Sequence, residues 1–356
     1  MKTGKTLTLI IAVVCVFAFL LTSCSTTPTL PGASASSEQS ASASAAEPAS
    51  QEASAAAESK APAAGEKIKI GMSIPQLANP YFVSVMNGCQ AKCDELGYEL
   101  IPVDAKYDVA KQVSDFENFA NQGVNAVIAC PIDSNALVQV VDKLKSQGII
   151  VISFAQVIEN ANSIFTLDEY KYGVVIGENA AKWINEKLGG KAQVLIISQD
   201  NVEAVVQRGN GIQDTIEKLC PESEVVARQA GDNPEKGMKI AEDVLQQYPD
   251  VKVITGNNDA GPLGAYEAVK AMGKNTDDFY IGGGDATPEA IEKMKEEGSV
   301  YRATVDLEPY TTGVDCVSAI ADMLANGIPD EAPVNLFNMT PVWQEDVVSG
   351  KFVPKG

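Results

Sequence analysis

The reactive side chains of this sequence set the first limits on its chemistry. The chain of 356 residues contains no histidine, so the commonest general base and metal ligand is missing. Catalysis by Ser-His-Asp or Cys-His groups and histidine-based metal binding are therefore excluded. Adjacent carboxylates such as Asp168-Glu169 and Glu296-Glu297 could in principle serve a glycosidase, but neighbouring surface acids are usually solvated. We expect no enzymatic activity, no cofactor and no bound metal.

Seven cysteines are the other reactive groups. Cys15 lies in an apolar N-terminal segment and Cys24 at its end. The remaining five are Cys89, Cys93, Cys130, Cys220 and Cys316. An odd number cannot form a complete disulfide framework. Cys89 and Cys93 are four residues apart on a predicted helix, which leaves a metal or redox role conceivable, but burial as small apolar side chains is the simpler interpretation.

Polar and aromatic side chains follow several predicted strands. Asn79-Pro80-Tyr81-Phe82 follows the first strand, and Asn258-Asp259 and Gly284-Asp285 follow later ones. Aromatic rings stack on apolar C–H faces, while amides and carboxylates pair with hydroxyl groups, so this set suits recognition of a small polar molecule. The alternative for the aromatic pair is core packing. For Asn258 and Asp285 it is helix capping, which does not exclude ligand contact.

The elements that position these residues are predicted by alternating apolar runs and amphipathic segments. In the first half, strands are expected at 68–74, 99–103, 126–131 and 149–154, and helices at 81–96, 109–122 and 135–147. Gly97, Gly123 and Gly148 end those helices. After Phe165 the pattern restarts, with helices at 170–188, 203–219, 234–247 and 263–271 and strands at 193–198, 224–227, 251–255 and 279–282. This predicts an α/β fold with two doubly wound parallel-sheet lobes, whose ligands bind beyond the carboxyl ends of the strands.

The order of the strand-end motifs resembles a known family. The series runs from Asn79-Pro80-Tyr81-Phe82 through Asn258-Asp259 and Gly284-Asp285 to Ala303-Thr304-Val305 with Pro309-Tyr310. It resembles the ribose- and galactose-binding branch of the type 1 periplasmic binding proteins, over residues 67 to about 350. The resemblance implies a hinge of three crossings, near Asp168, Leu307 and Pro341. The first lobe would comprise 67–167 plus about 308–340, and the second 168–307 plus about 341–356.

The resemblance also implies which side chains hold the ligand. They are Asn79, Tyr81, Phe82 and Gln156 from the first lobe and Asp232, Asn258 and Asp285 from the second. The family pattern is changed at four places. This chain has Ala155-Gln156 where ribose-binding members have an Asp-Arg pair, and the family's second ligand-binding arginine aligns near Val206. The aromatic residue of the family aligns near Asp232, and its glutamine aligns at Leu307-Glu308.

These departures carry a prediction about ligand charge. Two arginines would be replaced by Gln156 and Val206, while Asp232 and Glu308 would join Asp285. A cleft that loses fixed positive charge and gains acid repels anions strongly, because a desolvated site screens charge poorly. Neutral sugars, polyols or an amino-bearing ligand are therefore expected rather than sugar phosphates or uronates. The alternative is that Asp232 and Glu308 point to solvent at the cleft rim.

The first 66 residues predict export and anchoring. Lys2 and Lys5 precede an apolar run at 7–21, which is typical of a signal peptide spanning 1–23 and is shorter than the about 20 residues of a membrane span. Leu21-Thr22-Ser23-Cys24 resembles a bacterial lipobox, so Cys24 is expected to be lipidated. Residues 24–66 are nearly all Ala, Ser, Glu, Pro and Gln, a composition that predicts a flexible tether.

The expected function is capture of a monosaccharide or related polyol for an ABC importer, with the membrane permease as partner. We expect an exported monomer, lipid-anchored on the outer face of the bacterial cell membrane, in the periplasm if the cell is Gram-negative. The net charge of −20 argues against nucleic acid, as does the lack of the basic helix-turn-helix found in repressors with similar lobes. A ligand-sensing subunit that addresses a chemoreceptor or sensor kinase remains the alternative.

Overall fold

The structure, a computed structural model, describes residues 67–355. The predicted signal peptide at 1–23, the lipidation site Cys24 and the tether at 24–66 lie outside the described residues. No helix within 67–355 is both long enough and apolar enough to cross a membrane.

Strands and helices alternate along the chain, as the sequence predicts. The strands are β1 (Lys69–Ile74), β2 (Glu99–Asp104), β3 (Ala126–Ala129), β4 (Ile150–Ala155), β5 (Ser163–Thr166), β6 (Gln193–Ser198), β7 (Glu224–Ala230), β8 (Val251–Gly256), β9 (Tyr280–Gly282), β10 (Tyr301–Asp306), β11 (Val334–Leu336) and β12 (Thr340–Trp343). The helices are α1 (Pro80–Leu96), α2 (Val109–Asn121), α3 (Ser134–Ser146), α4 (Glu169–Lys187), α5 (Val206–Leu219), α6 (Pro234–Gln247), α7 (Ala260–Ala271), α8 (Pro288–Lys295), α9 (Pro309–Asn326) and α10 (Gln344–Val348). A short 3-10 turn at Glu203–Val205 precedes α5. The eight strands and seven helices whose bounds the sequence predicts agree with the observed elements to within a few residues.

The strands form two six-stranded sheets, one for each lobe. The first has the order β11-β5-β4-β3-β1-β2 and is parallel throughout, and the second has the order β12-β10-β9-β8-β6-β7. In the second sheet β12 runs antiparallel to β10, with Asp306 opposite Thr340 and Ala303 opposite Trp343. The chain enters β12 beside the last residue of β10 and has no crossover helix that would let it run parallel. The prediction of two doubly wound parallel-sheet lobes is confirmed, and β12 adds one antiparallel strand at the edge of the second sheet.

Three short crossings join the sheets. They lie at 167–168 between β5 and α4, at 307–308 between β10 and α9, and at 337–339 between β11 and β12. The sequence placed the third crossing near Pro341, but Pro341 lies inside β12 opposite Val305. After the second crossing α9 packs closely on α1: a Cβ on Gly88 would lie 2.0 Å from the Tyr310 carbonyl oxygen. This contact ties α9 to the helices of the first lobe.

The cores are mainly aliphatic because helices cover both faces of the central strands. Every residue of β3 and β4 is buried, as are five of the six in β1. All five cysteines in residues 67–355 are buried and free. Burial raises the pKa of Cys93 to about 11, which agrees with a packing role for the Cys89 and Cys93 pair rather than a reactive one.

Candidate functional site

A small cavity lies between the lobes at the carboxyl ends of the strands. Its volume is about 50 Å³, well below the roughly 300–1,000 Å³ of pockets for drug-sized ligands. First-lobe side chains in the wall include Asn79, Tyr81, Phe82, Tyr107, Pro131, Ile132 and Gln156. The second lobe contributes Gln199, Val202, Val205, Arg208, Asn258 and Asp285.

A larger, more open groove of about 550 Å³ runs along α9 and the edge strand β11. Its polar side chains include Glu308, Asp315 and Asp322, all acidic. The smaller cavity is the better site, because it is more enclosed and polar groups of both lobes converge on it.

The start of α1 forms the aromatic part of the first-lobe wall. Asn79 caps this helix by accepting a hydrogen bond from the Tyr81 N–H at 3.0 Å, and the cap turns both rings inward. Phe82 packs edge-on against Tyr81 and against Phe154, with ring centroids 5.4 and 6.3 Å apart. The Tyr81 hydroxyl is buried and has no hydrogen-bond partner within residues 67–355. A buried hydroxyl of this kind is costly unless a ligand or water pairs with it.

Gln156 follows β4 after Ala155, whose φ of 61° is left-handed. Its Oε1 accepts a hydrogen bond from the Cys130 thiol at 2.9 Å. Its Nε2 donates to Glu169 Oε1 at 3.1 Å, across the lobes. The amide lines the cavity, and these protein contacts use one of its two N–H donors and one of its two acceptor positions.

Arg208 supplies the positive charge of the second-lobe wall. Its Nε donates to Glu169 Oε2 at 2.7 Å, its Nη1 donates to the Asn257 carbonyl at 3.0 Å, and its guanidinium lies 4.6 Å from the Tyr172 ring centroid. Burial lowers the pKa of Arg208, but the Glu169 carboxylate outweighs burial and holds it above the ordinary value. The remaining N–H groups keep donor capacity for a ligand.

Asp285 faces Arg208 from the turn after β9. Its Oδ1 accepts a hydrogen bond from the Tyr172 hydroxyl at 3.0 Å. Burial raises the pKa of Asp285 and nearby Asp259 adds to this, while Arg208 acts in the opposite direction. Asn258 lines the same wall, and its Oδ1 accepts a hydrogen bond from the N–H of Ala260, the first residue of α7, at 3.1 Å. A contact with the start of this helix and a place in the cavity wall therefore coexist in Asn258.

The structure does not form the acidic cleft expected from sequence. Asp232 is buried, but its carboxylate pairs with Lys236 Nζ at 2.7 Å and is absent from the cavity wall. Glu308 pairs with Lys355 Nζ at 2.7 Å outside the cavity. The expected loss of positive charge also fails, because Arg208 reaches the site from two residues beyond Val206. One carboxylate and one guanidinium line the cavity, so the charge argument for an amino-bearing ligand has no basis.

Several wall residues were missed by sequence reasoning. Gln199 follows β6, Tyr107 lies in the loop after β2, and Pro131 and Ile132 follow β3. The rule that ligands bind beyond strand ends applies equally to them. These residues belong to none of the recognisable motifs, so the sequence did not single them out.

Comparison with known proteins identifies the family. A model of the periplasmic binding protein domain matches residues 70–328. The chain belongs to the periplasmic binding protein family. Its relatives place it in the type 1, sugar-binding branch, and the members of this family are solute-binding proteins rather than enzymes.

Individual relatives extend over most of the folded part. The ribose import binding protein of Bacillus subtilis (strain 168) is 31% identical over 263 residues, which cover 73% of this chain and 82% of that protein. The D-allose-binding periplasmic protein of Escherichia coli (strain K12) is 27% identical, with coverage of 72% and 86%. A solute-binding protein from Bacillus halodurans C-125 with bound myo-inositol has a TM-score of 0.69 at 25% identity, with coverage of 81% and 99%. All three resemble this binding protein along nearly their full lengths.

Proposed function

We propose that this protein captures a neutral monosaccharide or related polyol in the cavity between its lobes and delivers it to an ABC importer. The observation that carries the proposal is the cavity wall itself, in which the rings of Tyr81 and Phe82 lie together with the buried polar groups Arg208 and Asp285. Rings suit the C–H faces of a sugar. A guanidinium that donates and a carboxylate that accepts suit its hydroxyls, which both donate and accept. Relatives named for ribose import and for D-allose support the ligand class.

A neutral ligand follows from the charge balance of the site. Arg208 is already paired with Glu169, and Asp285 accepts a hydrogen bond from Tyr172. An ionic ligand would bring a further charge into a buried site without a free partner, which is costly. Hydroxyl groups can instead use the remaining donor and acceptor positions without adding charge.

Ligand capture by hinge closure is the second part of the proposal. Two glutamine side chains hydrogen bond across the lobes: Gln76 Nε2 to the Asp232 carbonyl at 3.0 Å, and Gln156 Nε2 to Glu169 at 3.1 Å. Such contacts would hold the lobes together over a bound ligand while the three crossings act as the hinge. Small-angle scattering should show a smaller radius of gyration with a saturating sugar than without it, and an unchanged radius would argue against hinge closure.

Attachment to the membrane through Cys24 is the third part, and it rests on the sequence Leu21-Thr22-Ser23-Cys24. Lipidation at Cys24 followed by the tether would keep a monomeric binding domain near its permease. A single acyl chain binds reversibly, so durable attachment needs two or more. Cys24→Ala should release the processed protein from membranes. Firm membrane association of a cleaved Cys24→Ala protein would contradict this anchor.

A ligand screen tests the ligand class. D-ribose, D-allose and myo-inositol should be compared with a sugar phosphate and a uronate by thermal shift and then by calorimetry. A ligand that binds only the native state raises the unfolding temperature in a concentration-dependent manner. We expect at least one neutral compound to do so at one site per chain. Binding of the anionic compounds alone would overturn the proposal.

A further inference from the structure

Asp259 is a fully buried carboxylate directly behind the cavity wall, which it does not line. Its Oδ2 accepts hydrogen bonds from the Thr287 N–H at 2.9 Å and the Thr287 hydroxyl at 3.2 Å. Its Oδ1 accepts from the hydroxyls of Tyr301 and Thr304, both at 2.8 Å. Four donors of the second lobe therefore converge on one carboxylate.

These donors surround a strained turn. Asp285 has a φ of 103° and Ala286 a φ of 49°, and neither residue is glycine. Such conformations are unfavourable for residues with a Cβ and persist only where the surrounding structure enforces them. Because Asp285 carries the cavity carboxylate, whatever enforces this turn also sets the direction of that side chain.

Asp259 contacts the turn by two routes. It binds the Thr287 N–H directly, and through Thr304 it acts on Ala286, because the Thr304 hydroxyl accepts from the Ala286 N–H at 3.1 Å while donating to Asp259. The Asp285 N–H is held separately by the Val305 carbonyl at 2.7 Å. Two of the three successive amides of the turn therefore depend on Asp259.

The fit between the two segments is close. A Cβ placed on Gly283 would lie 2.5 Å from the Asn258 carbonyl oxygen and 2.8 Å from Asp259 Oδ1. The segment before the turn therefore packs directly against the Asn258-Asp259 backbone. A change at Asp259 cannot be absorbed by empty space and must move the turn or its donors.

We propose that Asp259 is a positioning residue for ligand recognition, which holds the 285–287 turn so that the Asp285 carboxylate faces the cavity. This inference rests on the proposed function and adds to it a residue that touches no ligand. It assigns to Asp259 an effect on affinity that is transmitted through Asp285. A residue that only stabilised the lobe would have no such dependence on Asp285.

The charge state of Asp259 determines the assay conditions. Burial raises its pKa to about 7, although its four hydrogen-bond donors act in the opposite direction. A protonated carboxyl could not accept from all four donors, so binding is best measured at about pH 8.5, where the carboxylate predominates. Besides Tyr301, the titratable groups around this site are Asp285, Tyr172, Tyr280 and, farther along the same wall, Arg208 with Glu169.

The test is a double-mutant cycle on the full chain, with D-ribose, D-allose and myo-inositol as calorimetric probes. Asp259→Asn keeps the size of the side chain but replaces one acceptor oxygen with an NH2 group, so it cannot accept from all four donors. We expect it to weaken binding by about ten-fold or more in the wild-type background and by less than about two-fold in the Asp285→Ala background. Asp278→Asn, the same chemical change at a hydrogen-bonded surface site of this lobe, should leave affinity unchanged in both backgrounds.

Thr304→Val serves as a second variant in case Asp259→Asn does not fold. It removes only the hydroxyl that links Asp259 to Ala286. Its loss of affinity should likewise be large in the wild-type background and small in the Asp285→Ala background. Equal losses of affinity with and without Asp285, for either folded variant, would overturn the proposal.

Amide hydrogen exchange in the ligand-free chain separates this inference from the proposed function. Asp259→Asn should speed exchange at Ala286 and Thr287, and Asp278→Asn should not. If none of the sugars binds the wild-type chain, the ligand proposal fails while exchange still decides the role of Asp259. Unchanged exchange at both amides would overturn the positioning role, whatever the sugars do.

Discussion

The two lobes contribute different chemistry to the same cavity. The first lobe provides the rings of Tyr81 and Phe82 and the neutral amides of Asn79 and Gln156, and none of its lining residues is charged. The second lobe provides the guanidinium of Arg208, held by the partly buried Glu169, and the carboxylate of Asp285, held by the buried Tyr172. The fold repeats across the lobes, but the site does not.

This difference indicates a division of roles. The first-lobe wall is shaped by ordinary helix capping and core packing, as the Asn79 cap and the contact between Phe82 and Phe154 show. The second-lobe wall requires compensation of charge in a buried setting, which is energetically demanding. Substitutions in the second-lobe wall should therefore have larger effects than substitutions in the first-lobe wall.

The largest effect is expected for Arg208→Met. It leaves the partly buried Glu169 without its cation, and loss of one partner of a fully buried ion pair, which costs about 3–5 kcal/mol, sets the upper limit. Both the free energy of unfolding and sugar binding should fall sharply in denaturant titration and calorimetry. Arg208→Lys keeps the charge without the planar fork and should lose less of both. A stable Arg208→Met protein that still binds sugar would remove the central feature of the second-lobe wall.

Asp285→Ala should come next. Losing a hydrogen bond to a charged group costs about 1.5–3 kcal/mol, so affinity should fall by about ten- to hundred-fold. The free energy of unfolding should change less, because removing a buried carboxylate near Asp259 offsets the loss of the acceptor of Tyr172. Asp285→Asn keeps an acceptor and serves as the control for shape. If affinity and stability fell together, Asp285 would be structural rather than ligand-binding.

Tyr81→Phe tests the first-lobe wall and should have a modest effect. Its hydroxyl lacks a partner within residues 67–355, and a neutral hydrogen bond to ligand contributes about 0.5–1.5 kcal/mol, or two- to ten-fold in affinity. The ligand-free protein should become slightly more stable, because a buried unpaired hydroxyl is removed. A thermal melt without sugar measures the change in stability, and calorimetry with sugar measures the change in affinity. A drop in ligand-free stability would show that the hydroxyl already has a partner.

The smallest effect is expected for Asp232→Asn. Its carboxylate pairs with the half-exposed Lys236 and does not line the cavity, so the substitution leaves every lining side chain in place. Affinity for neutral sugars should stay within about two-fold. A large change on calorimetric titration would restore Asp232 to the site that the sequence assigned to it.

The sequence predicted much of the fold and part of the site, for a physical reason. Apolar periodicity marks strands and helices locally, and the strand-end rule together with the family resemblance selected Asn79, Tyr81, Asn258 and Asp285 without any knowledge of packing. All four lie in the cavity wall. Their roles toward ligand remain predictions.

The features that were missed depend on contacts between distant parts of the chain. Arg208 lies inside a helix and reaches the cavity with its long side chain, held by Glu169, 39 residues earlier. No local pattern encodes that pairing. The antiparallel entry of β12 depends on where the third crossing meets β10, which sequence periodicity does not indicate.

Calorimetry with a matched neutral sugar and its uronate tests the central claim most directly, because the two ligands differ in charge at a similar shape. Because Arg208 is already paired with Glu169, and Asp285 is a carboxylate in the same wall, we expect one binding site per chain and clearly tighter binding of the neutral sugar. Asp285→Ala should weaken that binding. Clearly tighter binding of the uronate to the wild-type protein would contradict a cavity built for neutral ligands.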